Sequence, residues 1–167
     1  MRFIIFSDSH GSLFNMREAL RRNLKTQPDG IIFLGDGLNS AKDLAAESGI
    51  PLYAVAGNCD LGVDVTDHST YEKLLEFDGR KILILHGHKY MVKSTSEIVN
   101  KYAMSRGADV LLYGHTHRRV ETSVKYDDGR VLHIFNPGSI ALPPDGVNSF
   151  GILEICGGEI YLSHGEI

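Results

Sequence analysis

The chain has no tryptophan, only two cysteines and no excess of positive charge. Each shortage excludes something. Cys59 and Cys156 are too few for a disulfide framework, so a reducing compartment is the default. A net charge of −4 argues against a face built for nucleic acid, and without tryptophan a strong stacking platform for single strands is missing. A nucleic-acid polymer is therefore not an expected partner. Long apolar runs are also absent. The first, Phe3 to Phe6, is broken by Ser7-Asp8 and falls well short of a signal core or a membrane span. No membrane partner is expected, and the cytoplasm is the simplest location.

What remains is an ordinary globular balance. The 167 residues are 43% hydrophobic and 23% charged, enough to bury a core in one domain spanning residues 1–167. No repeat or linker divides them. Phe3 to Phe6, Ile31 to Leu34 and Leu52 to Ala56 are apolar runs of strand length. Between them, Leu13, Met16, Leu20 and Leu24 recur at helical spacing, and a helix is expected from Ala41 to Ser48, with Ser40 as N-cap and Gly49 as stop. That alternation predicts a parallel sheet covered by helices. Further on, Tyr71 to Phe77 and Lys81 to Leu85 flank the hairpin signal Asp78-Gly79. Ser94-Thr95-Ser96-Glu97 reads as a capping box before a helix carrying Ile98, Val99, Tyr102 and Ala103. Val110 to Tyr113 is another buried strand. Two hairpins close the chain, turning at Asp127-Asp128-Gly129 and Gly157-Gly158. Two packed sheets with helices outside are expected. An exposed strand edge in these hairpins leaves room for a homo-oligomer.

Five short motifs stand at the ends of the apolar runs: Asp8-Ser9-His10, Gly35-Asp36, Gly57-Asn58-Cys59-Asp60, His86-Gly87-His88 and Gly114-His115-Thr116-His117. Taken singly, an Asp after a strand is a turn former or a helix cap. Taken together, the five supply hard oxygen and imidazole donors for two divalent metals, with a carboxylate available between ions roughly 3.5–4 Å apart. Asp8/His10 and His115/His117 are i, i+2 pairs, which on an extended stretch point the same way. Gly35, Gly57, Gly87 and Gly114 lie beside proposed ligands, where the chain is expected to turn sharply.

The order D-x-H, G-D, G-N-C-D, H-G-H, G-H-T-H resembles the calcineurin-like metallophosphoesterases, and within them a small bacterial and archaeal phosphodiesterase branch. The likeness runs from Asp8 to the loop Asn136-Pro137-Gly138-Ser139, whose Pro-Gly pair otherwise reads as a turn. The resemblance implies a four-layer α-β-β-α sandwich of two mixed β-sheets. It implies one metal on Asp8, His10 and His117, a second on Asn58, His86 and His115, and Asp36 between them. It implies a hydrolase in which a hydroxide bridging the metals attacks a small phosphodiester in line. Manganese is the first candidate, with nickel, zinc or iron compatible with the mixed O/N donor set.

The wider family has histidine where this chain has Cys59, a residue thought to assist the leaving group. A thiol of pKa about 8.5 is a poor substitute for an imidazolium. Asn58, Cys59, Asp60 and His88 are the candidate catalytic residues, Asp60 as an orienting or turn-forming group and His88 as a group facing substrate. The bland alternative for Cys59 is a small buried residue. His68, His133 and His164 lie outside every motif and are expected to be structural or superficial. Gly35-Asp36 is followed by no arginine, unlike the phosphoprotein phosphatases. The rival class is a non-catalytic protein-interaction scaffold resembling a retromer subunit of this fold. That subunit lacks part of the histidine set, whereas this chain keeps every ligand position. Esters with good leaving groups should be cleaved more readily than alkyl phosphates, and Cys59→His should raise turnover on poor leaving groups. Unchanged steady-state kinetics in that variant would remove Cys59 from the mechanism.

Overall fold

The structure is a computed structural model that describes residues 1–64 and 66–167. In the first sheet, β1 (Arg2–Phe6), β2 (Gly30–Phe33) and β3 (Leu52–Ala54) run parallel, joined through α1 (Leu13–Asn23) and α2 (Leu38–Ser48). This is the alternation that the apolar spacing predicts. The sheet is completed from the far end of the chain. β9 (Ser149–Cys156) pairs antiparallel with β1, and β10 (Glu159–Glu166) with β9, giving the order β10-β9-β1-β2-β3. The second sheet is also mixed. It holds β4 (Glu72–Phe77), β5 (Arg80–Leu85), β6 (Val110–Tyr113), β7 (Arg119–Lys125) and β8 (Val131–Pro137), in the order β4-β5-β6-β8-β7. α3 (Glu97–Ser105) makes the crossover from β5 to the parallel β6.

Both faces of the central strands are buried, which is why they read as unbroken apolar runs. Phe3, Ile5, Ile32, Ile84, Leu112 and Phe135 fill the space between the sheets. Ile4, Phe6, Ile31 and Phe33 face the other way, onto Met16, Leu20 and Leu44 of the first two helices. Leu83, Leu85 and Leu111 pack against Val99 and Ala103 of α3. The layers are therefore helix, sheet, sheet, helix, as the resemblance implies. The Asp78-Gly79 turn has positive φ at both residues, 49° and 72°, as a two-residue type I′ hairpin requires.

Two helix starts differ from expectation. α2 begins at Leu38 behind Gly37 rather than behind Ser40. A distant carboxylate, Asp60, accepts the N–H groups of Gly37 and Leu38 at 2.8 Å each, so the helix is capped by another loop. α3 begins at Glu97, but Ser96 caps nothing with its side chain. Its backbone is already near-helical (φ −89°, ψ −8°), and Thr95 Oγ1 takes the Glu97 N–H at 3.1 Å instead. The Ser94–Glu97 capping box does not form.

β3 stops at Ala54, two residues short of the expected Ala56. Asp8, Asp36, Asn58, His86 and His115 lie one to four residues beyond the C-terminal ends of β1, β2, β3, β5 and β6. That is the edge at which open α/β sheets place their sites. The edge stays in register because the sheets are locked by the shared core. Leu112 is fully buried in that core. Leu112→Ala is expected to lower unfolding free energy by about 2–5 kcal/mol in urea titration; a loss under about 1 kcal/mol would mean the inter-sheet layer is not the main support.

Candidate metal centre

Among the described residues, seven other than glycine have positive φ, and five of them are proposed ligands: Asp8 (52°), His10 (43°), Asp36 (61°), His115 (65°) and His117 (58°). The two i, i+2 pairs therefore do not converge through an extended stretch, as the spacing alone suggests. Each pair alternates into the left-handed region, and this turns both side chains back over the strand end. Asp and His visit that region more readily than most residues, yet it remains uncommon and costs energy.

Neighbouring groups hold these conformations. Asp8 N–H donates to the Gly35 carbonyl and His10 N–H to the Asp36 carbonyl, each at 2.9 Å, so the first two loops are stitched together. Asp60 accepts four backbone N–H groups at once. Besides Gly37 and Leu38 they are Asp36 at 2.9 Å and Gly57 at 2.8 Å. Asp60 is thus an orienting residue, and it joins the loops after β2 and β3. Ser7 Oγ donates to Asp8 Oδ2 at 2.5 Å, and Ser139 Oγ to the Asp8 carbonyl at 2.8 Å. Asn136 Nδ2 donates to the Gly114 carbonyl at 2.9 Å and so steadies the loop of His115 and His117. Two of the glycines serve closeness rather than turning. A Cβ on Gly57 would lie 2.1 Å from Asp36 Oδ1, and one on Gly114 would lie 2.0 Å from Ser7 Oγ.

All seven proposed ligands meet at one crevice, with acceptor atoms facing one another. His86 Nδ1 lies 2.8 Å from the Leu34 carbonyl, to which it must donate, leaving Nε2 as a lone pair in the neutral ring. That Nε2 faces His115 Nδ1 at 3.1 Å, Asn58 Oδ1 at 3.2 Å and Asp36 Oδ2 at 3.5 Å. His117 Nδ1 is held the same way by the Leu142 carbonyl at 2.8 Å. Its Nε2 faces Asp8 Oδ1 at 3.2 Å and His10 Nε2 at 3.4 Å. Asp8 Oδ1 is buried and closes no hydrogen bond among the described residues. Such a set of lone pairs needs positive charge between them.

The electrostatics agree. Burial alone would push the Asp36 carboxyl up and the His86 imidazolium down. Their close approach and mutual attraction, with help from Cys59 on Asp36 and from the Asp8 charge on His86, instead hold Asp36 well below the carboxylate range and raise His86. His117 is raised chiefly by its interaction with Asp8. His115 is lowered to about 4, first by burial and then by the charge on His86 and Lys93. Without a metal, then, the carboxylates favour the charged form of two of the imidazoles. Divalent cations supply that charge without protonating the ligands, so the residues present fit two metal ions. Asp8, His10 and His117 form one close group, and Asp8, Asp36 and His86 another.

The remaining candidates border this cluster. Cys59 is exposed rather than buried, which removes the reading of it as a core residue. Its N–H donates to Asp36 Oδ1 at 2.8 Å, and Asn58 Nδ2 reaches its sulfur at 3.2 Å. The thiol pKa is raised, first by partial desolvation and then by Asp36. His88 is half-buried, with its ring centroid 5.4 Å from that of His86 and its pKa lowered mainly by burial. A cavity of about 450 Å³ opens beside the cluster, lined by His10, Asp36, Leu38, Asn39, Lys42 and Cys59 among others. Of the residues outside the motifs, His164 is structural: it stacks on Phe135 with centroids 4.3 Å apart and contacts the Asn136 carbonyl. Ser7 and Ser139 escaped the sequence reading as supports. The hints were the position of Ser7 beside Asp8 and the place of Ser139 in the loop that the resemblance includes.

Residues 1–158 match the calcineurin-like phosphoesterase superfamily domain. The probable metallophosphoesterase YsnB of Bacillus subtilis is 36% identical over 143 residues, covering 86% of this chain and 77% of that protein. Phosphodiesterase MJ0936 of Methanocaldococcus jannaschii is 30% identical over 165 residues, covering 92% and 93%. The crystal structure of Vps29 from Chaetomium thermophilum has a TM-score of 0.71 over 99% of this chain and 96% of that one, at 17% identity, a likeness of fold.

Asp60→Ala would leave four backbone donors without their acceptor. It is expected to cost about 2–4 kcal/mol of stability and to weaken metal binding by about 10–100-fold. Calorimetric metal titration beside denaturant unfolding reads both. Native-like metal affinity in this variant would show that the loops hold their geometry without Asp60.

Proposed function

This chain belongs to the calcineurin-like phosphoesterase superfamily, and on that premise we propose that it hydrolyses small phosphodiesters with the aid of two divalent metal ions. The convergence of all seven donors, lone pair against lone pair, carries the reading. Asp8, His10 and His117 would hold one ion, Asn58, His86 and His115 the other, and Asp36 would serve both. When bound, the ions would provide a nucleophilic water at neutral pH and neutralise the charge on the phosphoryl oxygens. Manganese suits this mixture of carboxylate, amide and imidazole donors, as do nickel, zinc and iron.

The chain's own residues set the rest. The Leu34 and Leu142 carbonyls fix the rings of His86 and His117, so the ligands are aimed before any ion arrives. The cavity beside His10 and Cys59 is of a size for one arm of a small diester. By the family pattern, the exposed Cys59 would stand where a leaving oxygen is assisted. A cysteine side chain is neutral as a thiol and negative as a thiolate, so it offers no positive charge to that oxygen. This favours diesters whose leaving group is already stable as an anion. The presence and convergence of every ligand also weigh against a purely non-catalytic scaffold.

The test is hydrolysis of bis(p-nitrophenyl) phosphate by chelator-treated protein with and without added Mn²⁺. Activity should be negligible without metal and return on addition. Asp36→Ala should lower it by at least about 100-fold. No hydrolysis with any of the four metals would sink the proposal.

A further inference from the structure

His10, Asp36 and Cys59 each present a ligand atom, and all three atoms lie within 4.8 Å of one another. His10 and Asp36 already belong to the proposed metal centre. Cys59 is the newcomer, and its sulfur brings a donor of a different class. We propose that Cys59 is a facultative metal ligand, a thiolate that joins His10 and Asp36 around a soft or borderline divalent ion such as zinc and stays off a hard ion such as manganese. This rests on the metal-centre reading above and adds a selectivity that the O/N donors alone do not have.

The geometry supports it. Donors about 2.0–2.3 Å from a tetrahedral ion stand about 3.3–3.8 Å apart, so a trio already within 4.8 Å closes around an ion with a shift of at most about 1.5 Å. Cys59 and His10 are both exposed and have room to make it. The backbone at Cys59 is already anchored, because its N–H donates to Asp36 Oδ1 at 2.8 Å. The chemistry supports it too. Thiolates favour zinc, whereas carboxylate and water suit manganese. As the metal–sulfur bond forms, the thiol proton passes to solvent, as for any coordinating cysteine. A histidine at position 59 would offer zinc no such sulfur bond, so the substitution of cysteine bears on metal choice as well as on the leaving group.

Cobalt(II) is a suitable probe, because thiolate ligation gives it a near-ultraviolet charge-transfer band that O/N ligation lacks. Wild-type protein and Cys156→Ser should both show the band at full cobalt uptake. Cys59→Ser should bind cobalt by equilibrium dialysis without it. The same variant should lose about tenfold or more in zinc affinity while its manganese affinity stays within about twofold. A measurement on the wild type alone stands whether or not that variant folds: one equivalent of zinc should slow alkylation of Cys59 by iodoacetamide about tenfold or more, read by peptide mass with Cys156 as internal reference. Cobalt bound with no band, a band that survives Cys59→Ser, or alkylation indifferent to zinc would each overturn the proposal and leave the metal centre standing. No metal uptake by the wild type would overturn both.

Discussion

One carboxylate holds the site in shape. Asp60 receives the N–H groups of Asp36, Gly37, Leu38 and Gly57, and so ties the loop after β2, the start of α2 and the loop after β3 to a single point. Remove that anion and α2 loses its cap, while Asp36 loses what holds it in the left-handed region. Hydrogen bonds to a charged acceptor are roughly twice as strong as neutral ones. Four of them on one side chain are enough to support an unfavourable backbone next door.

That unfavourable backbone is the second constraint. Asp8, His10, Asp36, His115 and His117 all adopt positive φ, and Ser7, Ser139 and Asn136 brace the loops that carry them. The result is a crevice in which lone pairs oppose lone pairs and a buried carboxylate oxygen has no hydrogen bond among the described residues. Such an arrangement is poor as a core and good as a receptor for cations. Folding energy from the three apolar layers offsets it, and the ligands are aimed in advance. Cys59 is exposed at the rim of this crevice.

Much of this was legible in the sequence, and the reasons differ by element. The central strands announced themselves because both of their faces are buried, so Phe3-Ile4-Ile5-Phe6 has no polar interruption. The hairpins were legible from Asp78-Gly79 and Gly157-Gly158, whose turn chemistry is local. The pairing of β9 with β1 was not, since no local signal states which distant strand completes a sheet. The start of α2 was misplaced for the same reason: its cap lies more than twenty residues away, at Asp60. The candidate ligands were legible by type and order, but the conformation that gathers them was not. An i, i+2 spacing fits an extended strand as well as a left-handed turn, and only the tertiary braces decide between the two.

The central claim is that the crevice is a cradle for two cations sharing Asp36. Anomalous diffraction from crystals equilibrated with manganese addresses it most directly. The account requires two anomalous peaks flanking the Asp36 carboxylate, one beside Asp8, His10 and His117 and one beside Asn58, His86 and His115. A single peak at full occupancy, or peaks away from Asp36, would contradict it.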